Sequence, residues 1–303
     1  MSRPDPHYPI ETVAPVPDAV TRPMYWSIRR EIWENRSIYL APLIVAAVVM
    51  FGSLIATLWL PYKLRNLPAT ANVHSTITKP FSFAPAPIML AALIVGAFYA
   101  IDALYGERRD RSILFWKSMP VSDTTSVLAK MAIPIIVLPT IALVLSYVVF
   151  FALLFAGTVW FGMNGLSPAR LWGEVHFVAE PIIMIYGLFA HAIWFAPLYA
   201  WLLLLSAWVK RLPLLWVVLP PMGIGMLEKM LFDTQHFKGF MKYRIIGAMG
   251  RAFGEKVHTS ELEYLNQLTP LRYLATPGLW LGLFFAAGCV AAAIRLRHNR
   301  EPI

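Results

Sequence analysis

Few side chains in this sequence could do chemistry, and their spacing decides which chemistry that is. His191 stands in a long apolar run with no second ligand-type residue one helical turn away, so a packed imidazole is expected rather than a metal ligand. Glu174, His176 and Glu180 form a loose cluster. Their order and spacing differ from the His-Glu-x-x-His pattern that sets two imidazoles on one helix face for zinc, so no metal site is expected. These three, or His258, are the residues a stand-alone membrane hydrolase or transferase would have to use. The sequence contains no Gly-x-x-x-x-Gly-Lys-Ser/Thr loop to cradle phosphates, so no nucleotide site of that type is expected on this chain. Cys289 is the single cysteine; it cannot form an intramolecular disulfide, and its apolar surroundings suit an inert buried thiol.

These residues are positioned by elements of an unusual kind. Of 303 residues, 58% are hydrophobic and 14% are charged, against roughly 25% charged in soluble domains. With a mean hydropathy of +0.59, a water-soluble enzyme is excluded. A bilayer core takes about 20 apolar residues in helix. Six runs qualify: Ile38 to Leu60, Ala84 to Tyr105, Ala132 to Trp160, Pro181 to Trp208, Leu212 to Leu231, and Leu274 to Ile294. The expected fold is therefore all-α and polytopic, with six transmembrane helices over residues 38–303. Pro134, Pro139 and Pro197 offer places for the longer spans to bend, and Pro213, Pro220 and Pro221 predict a broken or partly re-entrant fifth span. Asp102 and Glu228 lie near span ends, where each can pair or take part in gating, Asp102 with Arg108 or a nearby lysine.

The net charge of +9 reads as basic loops on an anionic membrane face, with no nucleic-acid partner. With both termini inside, inner segments hold 15 Lys and Arg and outer loops hold 10, which favours that orientation. Trp59, Trp160, Trp208, Trp216 and Trp280 fall near span ends, where amphipathic rings prefer to sit. Residues 1–22 are rich in proline and are expected to be a disordered cytoplasmic tail. Residues 23–37 follow as an interfacial amphipathic helix with Tyr25, Ile28 and Ile32 on one side. Residues 232–272 are too polar to span and predict an outer subdomain, in which Phe240 to Phe253 suits an amphipathic helix better than a strand.

The most informative stretch is the inner loop from Gly106 to Met131. Ser112 can cap a short helix to Met119 that Pro120 stops, and Ser122 and Asp123 are suited to opening the next helix. Glu107, Arg108, Arg109, Asp110 and Arg111 offer mixed charge, beside Trp116 and the stem of Lys117, which suits docking to protein better than adhesion to lipid.

Glu107-Arg108, Ser112, Ser118-Met119-Pro120-Val121-Ser122 and Ala129-Lys130-Met131 resemble the loop between spans two and three in permease subunits of ABC transporters of the type-two exporter class. Arg111 stands where that family commonly has glycine, and Ala129 replaces the glycine before Lys130, so the local turn is expected to differ. The resemblance implies a permease that is not itself an enzyme, paired with a second copy or a sibling permease in the bacterial inner membrane. ATP and Mg would be bound by separate ATP-binding subunits and no cofactor by this chain. It also implies that residues 109–119 dock in a groove of the ATPase. Spans two and five would line a pathway with Phe98, Tyr99, Trp216, Met222 and Met226 for a lipid, peptide or drug-like substrate. A stand-alone enzyme and a non-catalytic assembly or sensor subunit are the competing readings.

Overall fold

Where no water is available, backbone amides and carbonyls must bond within their own segment, so long apolar runs fold as helices. The computed structural model describes residues 22–68, 72–112, 115, 121–252, 265 and 268–299. Its helices in chain order are α1 (Pro23–Glu34), α2 (Ser37–Leu58), α3 (Leu60–Arg65), α4 (Val73–Ser82), α5 (Pro85–Asp102), α6 (Tyr105–Arg109), α7 (Asp123–Ala132), α8 (Leu138–Met163), α9 (Pro168–Glu174), α10 (Ala179–Trp208), α11 (Pro213–Phe232), α12 (His236–Ala252), α13 (Pro270–Leu274) and α14 (Pro277–Asn299). Six segments, built on α2, α5, α8, α10, α11 and α14, are long and apolar enough to cross a membrane. The chain is an all-helical integral membrane protein.

The prolines act differently in the third and fifth spans. Between α7 and α8 a π-helical turn, Ile133–Val137, surrounds Pro134, and the wider turn accommodates the missing N–H. In α11 the expected break is absent. Pro213 sits in the first turn, where its missing donor costs nothing, and the helix continues through Pro220 and Pro221 to Phe232. With no water to compete for the freed carbonyls, helical backbone remains the cheapest option even there.

Three apolar cores hold the bundle. One joins α2, α5 and α8, a second joins α5, α7, α10 and α14, and a smaller third forms where α10 meets α12 and α13. Gly96 allows a close approach of α5, the π-helical turn and α10, since a Cβ there would lie 3.1 Å from both Pro134 and the Tyr199 ring. Many large apolar side chains, among them Val48, Phe51, Phe155 and Phe284, face outward. None of α11 is buried within the chain.

The short helices collect at the two ends of the bundle. At one end α1 packs along α7, which in turn packs on α14. At the other, α3 meets α4, α4 meets α9, and α12 meets α13. The amphipathic helix expected around Phe240 to Phe253 is present as α12 and is pinned to the bundle. The Trp194 Nε1–H donates to the Arg244 carbonyl at 2.7 Å, and Arg244 Nη2 donates to the Trp194 carbonyl at 2.6 Å. On α1 the residues grouped by helical spacing, Tyr25, Ile28 and Ile32, differ in burial. Ser27 and Glu31 are buried and Ile28 and Ile32 half-buried, whereas Tyr25, Trp26 and Trp33 are exposed. The Arg29 guanidinium lies 4.4 Å from the Trp33 ring centre.

Candidate functional site

A lysine one turn before an apolar span must either reach water or find carboxylates. Lys130, near the end of α7, is only 3% exposed, and its Nζ lies 2.8 Å from Glu31 of α1 and 3.1 Å from Glu107 of α6. Glu31 also accepts from the Tyr99 hydroxyl of α5 at 2.7 Å and pairs with Arg30. Glu107 is shared with Arg297 of α14 at 3.2 Å and with Arg30 at 3.4 Å. Arg297 continues to Asp123 in the first turn of α7, at 2.6 Å. Glu31, Glu107 and Asp123 with Arg30, Lys130 and Arg297 thus form a network that joins α1, α6, α7 and α14, with Tyr99 attaching it to α5; at its exposed rim Glu34 lies 3.7 Å from Arg30 and His298 3.2 Å from Asp123.

Burial alone would push the Glu31 carboxyl up. The charge and hydrogen bond of Lys130, followed by Arg30 and the Tyr99 hydroxyl, override that effect and hold it down to about 2. The carboxylate therefore stays ionised at neutral pH.

Beside the network a second latch ties α6 to the end of α10. Arg108 Nη2 donates to the carbonyls of Ser206 and Val209, at 2.7 and 2.6 Å. In return the Ser206 hydroxyl accepts from the Leu104 and Tyr105 amides, at 2.9 and 2.8 Å. Arg108 satisfies the last carbonyls of one helix while Ser206 satisfies the first amides of the other.

The docking set expected from the sequence divides here. Glu107 and Arg108 turn inward, 8% and 3% exposed, and are committed to the network and the latch. Arg109 and Asp110 are exposed and pair with each other at 2.9 Å. Asp102 pairs with Arg109, at 3.9 Å, rather than with Arg108. Ser112 Oγ lies 3.4 Å from the Glu107 carbonyl as its donor. Trp116, Lys117 and Pro120 lie outside the described residues. Ser122 caps α7, accepting from the Thr125 amide at 3.1 Å, as its position in the sequence predicts.

Arg111 has φ of +58°. It follows the end of α6 in the left-handed geometry that glycine adopts without cost. Arg111→Gly is expected to stabilise the protein by about 0.5 to 1 kcal/mol, the left-handed penalty less glycine's extra entropy cost. A higher thermal unfolding midpoint in detergent checks it.

Tyr99 is 7% exposed and its hydroxyl donates to Glu31. Phe98, Trp216, Met222 and Met226 are exposed on α5 and α11. Glu228 accepts from the His236 and Phe237 amides at 2.7 and 2.8 Å and so caps α12. His191 is packed as expected, its ring centre 4.7 Å from that of Phe195.

At the opposite end, His74 Nδ1 lies 2.9 Å from Glu174, and Ser82 Oγ donates to Glu180 at 3.1 Å. The His74 and His176 ring centres are 5.5 Å apart. The cavity that His74, Ser82, His176 and Glu180 line has about 40 Å³, room for a few waters rather than an organic substrate. Among the described residues no three His, Cys, Asp or Glu side chains converge as metal ligands. His258 lies outside the described residues.

Sequence reasoning missed Glu31, Asp123 and Arg297 as parts of one network. Lys130 was the available signal, because a cation beside an apolar span requires a partner from elsewhere. The chain matches no family model, no curated protein and no solved structure.

Proposed function

We propose that this chain is the membrane-spanning permease subunit of an ABC transporter, with both termini cytoplasmic, moving a hydrophobic or amphipathic substrate with energy from separate ATP-binding subunits. The observation that carries this reading is the buried network, which fastens the start of the 106–131 loop to α1, α7 and α14 together. A coupling element works only if force on it moves the spans rather than bending a free loop. Glu107 and Arg108 supply that rigidity, and the exposed residues after them, Arg109, Asp110 and Arg111, meet the ATPase with Trp116 and Lys117. In this reading α1 lies in the membrane interface with Tyr25, Trp26 and Trp33 toward lipid, and a second permease copy or a sibling completes the pathway.

The test is co-expression with an ABC ATPase encoded beside the chain. Arg109→Glu and Trp116→Ala are each expected to lower co-purification of that subunit by about tenfold and to uncouple ATP hydrolysis from transport. Unchanged association and coupling in both variants would refute the reading. Catalysis by the purified chain alone, abolished by His176→Ala, would establish a stand-alone membrane enzyme instead. Association without substrate movement would leave a sensor or assembly subunit.

A further inference from the structure

Between α2 and α4, at the end of the bundle away from Glu31, lies a groove of about 1060 Å³, as large as pockets that hold drug-sized ligands. Its walls run along α2 from Val48 to Ala56 and on to Leu60 at the start of α3. The stretch from Val48 to Ala56 rises about 12 Å, most of one leaflet of a bilayer core roughly 30 Å thick. The groove exists because α2 presents Gly52, Ser53 and Ala56 to it. A Cβ on Gly52 would meet nothing within 4 Å.

The mouth is different in character. Lys63 of α3 and Lys79 of α4 both line it. Both are exposed, and among the described residues neither makes an ion pair. Arg65, by contrast, is committed to the Asn164 carbonyl at 2.7 Å. Trp59 and Tyr62 meet edge to face with ring centres 6.0 Å apart beside the mouth, and such rings mark headgroup depth. An apolar trough most of one leaflet deep thus ends in two ammonium groups that make no ion pair among the described residues, beside rings of the kind that mark headgroup depth.

We propose that the groove between α2 and α4 holds an acyl chain of one anionic phospholipid, whose phosphate is bound by Lys63 and Lys79. The two parts of the site need the same molecule. A zwitterionic lipid fills the trough but brings no net charge to the lysines, and a free phosphate ion uses the lysines but leaves the trough empty. The site does not depend on the permease reading and stands if no ATPase partner exists.

The test is native mass spectrometry of the full chain in a neutral detergent, with palmitoyl-oleoyl phosphatidylglycerol or phosphatidylcholine added. One phosphatidylglycerol is expected to be retained about tenfold more tightly than phosphatidylcholine. Lys63→Gln with Lys79→Gln should bring the two lipids level. Gly52→Phe should weaken phosphatidylglycerol by a similar factor with both lysines in place, and the open space around Gly52 leaves that variant free to fold. Equal retention of the two lipids by the wild type would overturn the proposal. So would unchanged phosphatidylglycerol binding in both variants, or its displacement by millimolar inorganic phosphate.

Discussion

Glu31→Ala is expected to cost about 3 kcal/mol of stability and to loosen α1 from the bundle. The Glu31 side chain is 2% exposed and that of its partner Lys130 3%. Removing the carboxylate leaves the ammonium buried with Glu107 as its remaining close anion, and Glu107 is already shared with Arg30 and Arg297. The Tyr99 hydroxyl loses its acceptor in the same step. Most of the penalty comes from the stranded charge, so adding Lys130→Met to Glu31→Ala should recover part of it, and the cycle of single and double variants measures the coupling. The readout is the unfolding midpoint in detergent. Additive effects of the two substitutions would show that the pair does not act as one unit.

The same carboxylate sets a pH dependence. Its folded-state value of about 2 lies below its ordinary value of 4.5. Its contribution is therefore complete above the ordinary value and is lost as the pH falls from there toward 2. Wild type should lose stability across that window, and Glu31→Ala should lose less.

The second large effect is expected at Arg108. Arg108→Met removes two charge-assisted bonds and leaves the Ser206 and Val209 carbonyls at the end of α10 without that donor, at a cost of about 3 kcal/mol. Arg108→Lys should recover only part of this, because an ammonium lacks the planar reach of guanidinium. Ser206→Ala breaks the other half of the latch, whose two donors are neutral amides, and should cost about 1 kcal/mol. Hydrogen exchange should quicken at the α6 amides in Ser206→Ala and at the end of α10 in Arg108→Met. Unaltered exchange at both places would dissociate the latch from the stability of this end.

The spans were legible because lipid imposes length and polarity on any segment that crosses it. The start of α2 falls within one residue of expectation and the end of α10 at Trp208 itself. The short helices α3, α4 and α9 were not legible, since their apolar positions are too few to fix a period. The continuity of α11 was hidden behind Pro220 and Pro221, residues whose effect depends on how much water surrounds them. The site was half legible. Glu107, Arg108 and Lys130 stood out by position, but reading them as a surface missed that Glu31, apparently one charge among several on a polar stretch, faces inward. Partners 99 and 190 positions apart, as Lys130 is from Glu31 and Arg297 from Glu107, leave no local pattern.

Arg297 is the last member of the network to leave the ribosome. Until it arrives, Glu107 and Asp123 already sit beside the membrane lacking the guanidinium that later neutralises them. This end of the bundle can lock only after α14 has been made, so completion of the chain is written into the charge balance of the segments that precede α8.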